Sequence, residues 1–285
     1  MTSQFKTAML LALLSGLLIV LGGALGGRGG IVVALAFALF MNVGAYWYSD
    51  KIVLRMYGAR EVDESSAPGL HAMVAELAAN AGVPKPRIAV IPEEAPNAFA
   101  TGRNPEHAVV AVTDGIMRLL SPEELRGVLA HEMAHVAHRD ILIQSVAGVI
   151  GSAITALANF LQFAAIFGGS RDEEGGSNPL AMFVMAMLAP IAAGLIQMAI
   201  SRSREYLADE GGARYSGQPL MLASALEKLQ AWNQRIPMQQ GNPTTEQMFI
   251  VAPLFGGGFT KLFSTHPPIE DRVARLRQMA STGRY

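Results

Sequence analysis

Four runs without a charged side chain, residues 7–27, 29–49, 141–170 and 177–201, alternate with segments of mixed polarity. A helix rises about 1.5 Å per residue and the hydrocarbon core of a bilayer is about 30 Å thick, so each run is long enough to cross it. The pattern therefore predicts four transmembrane helices in two hairpins, 7–49 and 141–201. For the first run the rival is a cleaved signal peptide; its length and the lack of a small-residue cleavage site speak against that. For the later pair the rival is a helical hairpin buried in a large soluble core. The glycine-rich tract from Gly22 to Gly30 suits close helix packing in lipid.

The remaining segments, 50–140 and 202–285, read as two halves of one soluble domain. Leu70, Met73, Val74 and Leu77 repeat at helical spacing between Pro68 and Gly82, predicting an amphipathic helix that stops at the glycine. Short β-type runs at 87–91 and 108–113 flank Asn97-Ala98-Phe99-Ala100-Thr101-Gly102 and predict a small sheet. Ser121-Pro122-Glu123-Glu124 supplies an N-cap, an N1 proline and a capping-box glutamate, opening a helix through Leu125, Val128 and Leu129 to Asp140. Further helices are predicted at 202–216, 219–232 and 268–279, with a loop-rich stretch over 234–265. The expected fold class is a mainly α integral membrane protein, with four transmembrane helices and an α+β domain carrying a small sheet.

Composition narrows the function classes. Charged residues are 16% of the chain against 51% apolar, with a mean hydropathy of +0.30, which excludes a wholly soluble enzyme or a disordered chain. No cysteine is present, so a disulfide scaffold is excluded too. A net charge of -1 gives no electrostatic case for nucleic acid as a partner. Of the 22 lysines and arginines only Arg28 and Arg171 fall in the opposite loops, while Lys51, Arg55, Arg60, Arg139, Arg202 and Arg204 lie near span ends. By the positive-inside rule the soluble domain faces the cytoplasm.

His131-Glu132-Met133-Ala134-His135 is an HExxH pattern, and the capping box upstream places it on a helix. Spacing i, i+4 turns both imidazoles to one face, about 6 Å apart along the axis, where both can ligate one zinc ion. Glu132 is then the general base for a zinc-activated water. Two histidines on an ordinary exposed helix are the bland alternative, and the predicted helical context argues against it. Without cysteine the third ligand is His, Asp or Glu. His138 lies about 10.5 Å along the axis from His131, too far to share an ion. The metzincin pattern fails because position 138 is His where glycine is required and position 141 is Ile. Glu205 and Asp209 stand at i, i+4 on a second helix, with Glu205 as ligand and Asp209 orienting a ligating imidazole. A solvated helix beside Arg202 and Arg204 is the competing reading of that pair. The third and fourth spans deliver both zinc helices at one depth, close to the lipid headgroups.

These motifs resemble the HtpX membrane zinc metalloproteases, relatives of the CAAX prenyl proteases. The resemblance rests on 96–102, on Glu123-Glu124-Leu125 leading into His131–His135, on Glu205–Asp209, and on Thr265-His266-Pro267-Pro268 with Arg272. It implies a cytoplasmic zinc metalloprotease domain acting on polypeptides, in quality control of misfolded or damaged membrane proteins at a bacterial inner membrane. It further implies that Asn97 and Ala98 lie on an edge strand pairing with extended substrate, and that His266 and Arg272 stabilise the oxyanion. A processing protease for lipidated C-termini is disfavoured by the span count. A non-catalytic membrane scaffold is disfavoured by the intact Glu132.

Overall fold

The structure, a computed structural model, describes residues 3–152, 202–233, 248–251 and 267–283. Most of the second predicted hairpin (153–201), and 234–247 and 252–266 of the loop-rich stretch, lie outside the described residues.

Helix α1 (Ser3–Met56) consists of two apolar arms broken at Gly27, whose φ of 56° and ψ of -139° favour a residue without a side chain. The break falls between the first two predicted spans. A Cβ on Gly22 would sit 2.5 Å from the Ala34 Cβ, so glycine is what lets the arms close. Farther from the bend, Asn42 Nδ2 donates to Ser15 Oγ at 2.8 Å, one polar clasp in an apolar hairpin. Val32, Val33, Phe37, Leu39 and Phe40 are exposed along the second arm, an apolar surface suited to lipid. Gly26–Met56 is long and apolar enough to cross a membrane, whereas Phe5–Val20 and Ile141–Ser152 are shorter apolar helices. Among the described residues, one full-length span thus stands where the sequence predicts four in the whole chain.

The sheet contains β1 (Arg60–Glu61), β2 (Arg87–Ile91), β3 (Ala98–Thr101) and β4 (Val109–Thr113) in the order β1-β2-β4-β3. β2 and β4 run parallel; the other pairs are antiparallel, and β3 lies at an edge. Strand periodicity divides the buried side chains between two cores. Ile88, Ala98, Ala100, Val110 and Val112 face one core, built with α2 (Pro68–Ala81) and α4 (Pro122–Ala137). Ala89, Ile91, Phe99, Val109 and Ala111 face the other, which includes Leu10, Leu14 and Val53 of α1 and Leu142 and Val146 of α5 (Ile141–Ser152). The apolar hairpin is therefore packed onto the back of the sheet, and Arg87 ties the two by ion pairs to Asp50 and Glu61.

α3 (Asp114–Leu119) follows β4, capped by the Thr113 hydroxyl. The predicted capping box at Ser121 and Glu124 forms, and Glu124 also accepts from Ser224 Oγ and Lys228 Nζ. Those bonds anchor the start of α4 to α7 (Pro219–Asn233). α6 (Arg202–Ser216) crosses the front of α4, and α8 (Ile269–Thr282) closes the domain. Gly211 permits that crossing, because a Cβ there would stand 2.6 Å from the Ala134 Cβ.

The sequence carries α4 on to Asp140, but it ends at Ala137 in a tight turn. The Asp140 amide donates to the His135 carbonyl at 3.0 Å and the Arg139 amide to the Val136 carbonyl at 3.1 Å. This is a Schellman closure, with Arg139 at φ 59° where glycine is usual.

Candidate metal centre

The capping box sets the phase of α4, so that His131, Glu132 and His135 are all buried beneath β3 and α6. The imidazole centroids lie 4.8 Å apart. His131 Nε2 is 3.7 Å from Glu205 Oε2 and His135 Nε2 is 3.5 Å from Glu205 Oε1. One ligand atom from each of His131, His135 and Glu205 falls within 4.8 Å of the others. His138, exposed at the helix end, is not part of this group.

The far side of each imidazole faces a carboxylate. His131 Nδ1 lies 3.0 Å from Asp209 Oδ1, and Asp209 in turn accepts from Arg272 Nε at 2.8 Å and Nη2 at 2.7 Å. His135 Nδ1 lies 3.5 Å from Asp140 Oδ2, a residue the sequence did not single out. An acid five positions after the second histidine is the signal that was there to read. Arg272 is fully buried, with its Nη1 donating to the Ile250 carbonyl at 2.9 Å and standing 3.6 Å from Glu205 Oε2. Its guanidinium is thus directed at Asp209 and the backbone. His266 lies outside the described residues.

Asn97 and Ala98 stand at the predicted sheet edge, and both are buried. Asn97 Oδ1 accepts the Ala98 amide at 3.0 Å and its Nδ2 donates to the Val251 carbonyl at 2.9 Å. The Ala98 carbonyl accepts the Ile250 amide at 3.2 Å, so residues 248–251 already run beside this end of the edge. Two residues on, the Ala100 backbone lies near the Glu132 carboxylate and favours its charged form. The edge strand therefore runs beside the HExxH glutamate, a proximity that the sequence alone does not reveal.

Electrostatics separate the titratable groups. Burial pushes His131 down to about 4, against the pull of Asp209. It is therefore neutral at pH 7, and Asp209 favours the tautomer with its proton on Nδ1. Burial alone would also depress His135, but the carboxylates of Asp140, Glu205 and Glu132 raise it to about 9. Burial lifts Glu132 to about 8, with His135 opposing and Glu205 reinforcing. Asp209 is held below the usual carboxylate range, because Arg272 and His131 outweigh its burial.

The donor set fits a zinc ion: two imidazole nitrogens and one carboxylate, with the buried His131 Nε2 lacking any hydrogen-bond partner and aimed at Glu205.

A small mixed sheet, an HExxH helix facing a glutamate from a second helix, and an apolar helical hairpin behind them define a membrane zinc metalloprotease. The chain belongs to peptidase family M48, whose sequence profile matches residues 64–280. It is 57% identical over 288 aligned residues to "Protease HtpX homolog" of Paraburkholderia phytofirmans, covering 100% of both chains. Identity to the protein of that name from Ralstonia pickettii is also 57%, over 100% of this chain and 99% of the other. The crystal structure of S. mikatae Ste24p shares the fold with a TM-score of 0.50 and 18% identity, covering 96% of this chain. This chain spans 65% of the length of that one.

Proposed function

We propose that this membrane metalloprotease is an endopeptidase whose single zinc ion is held by His131, His135 and Glu205, with Glu132 as general base. The observation that carries the reading is the convergence of those three ligand atoms within 4.8 Å beside the buried Glu132 carboxylate. When bound, zinc supplies a Lewis acid that polarises the scissile carbonyl and acidifies the attacking water. Glu132 takes the proton from that water and later gives it to the leaving amine. Asp209 fixes the tautomer of His131, and Arg272 holds Asp209 in place; this orienting role replaces the direct oxyanion contact expected of Arg272. His266 remains the candidate for that contact.

Asn97 and Ala98 form the near end of the substrate edge, an extended peptide adding beside β3 through main-chain bonds indifferent to side chain. With the Ala98 amide on Asn97 Oδ1 and the Ile250 amide on the Ala98 carbonyl, such a peptide pairs there only by displacing those partners, and otherwise beyond them, towards the Ala100 carbonyl. Backbone recognition suits broad specificity, and with the site beside apolar helices it favours damaged or misfolded membrane proteins as substrates. The cation distribution and the four apolar runs support two hairpins with the domain in the bacterial cytoplasm.

The test is Glu132→Gln in the purified full-length protein, assayed on an unfolded membrane protein with zinc added and chelated. Zinc content should match the wild type while turnover falls by at least about a thousandfold, the upper range for loss of a general base with its charge. Loss of zinc together with activity would make Glu132 a ligand and overturn the assignment.

A further inference from the structure

We infer that Asp140 is a positioning residue for the metal centre, holding the His135 imidazole through Nδ1 as Asp209 holds His131. The inference rests on the ligand assignment proposed above and extends it to a residue outside that set.

Each imidazole directs Nε2 at the Glu205 carboxylate and Nδ1 at a different acid, Asp209 at 3.0 Å and Asp140 at 3.5 Å. Both acids are buried. An arginine stands behind each: Arg272 on Asp209 at 2.7 Å, and Arg204 Nη1 3.5 Å from Asp140 Oδ1. Two Arg-Asp-His chains thus flank Glu205, the Asp209 one through contacts of 2.7 to 3.0 Å and the Asp140 one through looser contacts of 3.5 Å at each link. A carboxylate on the outer nitrogen fixes ring orientation and tautomer and raises ligand basicity.

The backbone is bent to make this contact. Among the described residues Arg139 is the one non-glycine at positive φ, and its left-handed conformation turns the chain so that Asp140, one position on, returns beneath His135. Such strain persists where the surroundings over-determine it, and it concentrates at functional sites. A straight continuation of α4 would carry position 140 along the axis and away from the imidazole. Arg204 precedes Glu205 on α6, so the helix that delivers the third ligand also reaches Asp140. The junction at Asp140 and Ile141, where the third apolar run begins, is thereby coupled to the metal centre.

The experiment compares Asp140→Ala, Asp140→Asn and His135→Ala in the full-length detergent-solubilised protein, reading the zinc dissociation constant by chelator competition. Asp140→Ala should weaken zinc binding by about 10- to 100-fold. Asp140→Asn should recover most of the loss, because its amide oxygen still accepts the Nδ1 proton. Wild-type affinity in Asp140→Ala, or equal losses in the two Asp140 variants, overturns the inference. If Asp140→Ala does not fold, the cobalt-substituted Asp140→Leu protein decides, because its near-isosteric side chain offers Nδ1 no acceptor: a shifted ligand-field band at unchanged thermal midpoint supports the role, and an unshifted band refutes it. His135→Ala separates the two readings, since undiminished zinc affinity there would defeat the ligand assignment itself.

Discussion

Asp209 Oδ1 stands 3.0 Å from His131 Nδ1 while the same carboxylate takes two bonds from the buried Arg272. Removing one member of a buried ion pair leaves the other charge uncompensated, a cost of about 3–5 kcal/mol. Arg272→Met should therefore lower the folding stability of the metal-free protein by that amount, measured as a shift in its denaturation midpoint. A loss under about 1 kcal/mol, the scale of an exposed pair, would show that Asp209 does not depend on Arg272.

The third ligand is tested by contrast. Glu205 faces both Nε2 atoms, whereas His138 is exposed at the end of α4. Glu205→Ala should leave the purified protein almost free of zinc, and His138→Ala should retain stoichiometric metal and wild-type proteolysis. Metal analysis giving the reverse would reject the pairing of α4 with α6.

Zinc uptake should release protons. His135 is raised to about 9 in the metal-free site, so at pH 7 it carries a proton that must leave before Nε2 can ligate. His131, lowered to about 4, is already deprotonated on one nitrogen and contributes no such release. Glu132, lifted to about 8, can give up a second proton as the cation binds beside it, so calorimetric titration in buffers of different ionisation enthalpy should find net proton release with zinc near pH 7, falling as pH rises through 8 and 9. Release that does not change between pH 7 and 10 would contradict the raised positions of both His135 and Glu132.

The crossing of α4 and α6 leaves no room for a methyl group at Gly211. Gly211→Ala should cost about 1–3 kcal/mol by overpacking and weaken zinc binding as Glu205 moves relative to the histidines. A variant with unchanged midpoint and unchanged zinc affinity would mean that the helices separate without consequence for the site.

Orientation can be read by cysteine labelling, because the chain has no native cysteine. A single cysteine replacing Ser170 should react with an impermeant maleimide on intact cells, and one at the exposed Arg214 only after permeabilisation. Ser216 is buried and bonded to the Gly212 carbonyl, which makes it the poorer probe. Labelling at 214 in intact cells would invert the proposed topology.

Much of this arrangement was legible in local sequence, and the reasons differ by residue. Ser121 and Glu124 announce α4 because capping is a short-range hydrogen-bond problem with few solutions. The i, i+4 histidines follow from helix geometry alone. Asp140 is not legible there because the helical pattern runs straight through to it: a left-handed arginine is rare, and nothing in Arg139 itself signals the turn. The proximity of Ala100 to Glu132, and the placing of Ile250 beside Ala98, are long-range pairings that periodicity does not encode. Arg272 was noticed by resemblance, but its orientation onto Asp209 depends on how α8 packs, which only the folded domain specifies.

The metal centre draws on residues far apart in the chain, with Arg272 contacting His131 across 141 positions. During synthesis the HExxH helix emerges long before the glutamate, and the glutamate before the arginine that steadies its neighbour. Between the helix and the glutamate lie the third and fourth apolar runs, residues 141–170 and 177–201. A chain synthesised only as far as these runs therefore carries the HExxH motif without Glu205.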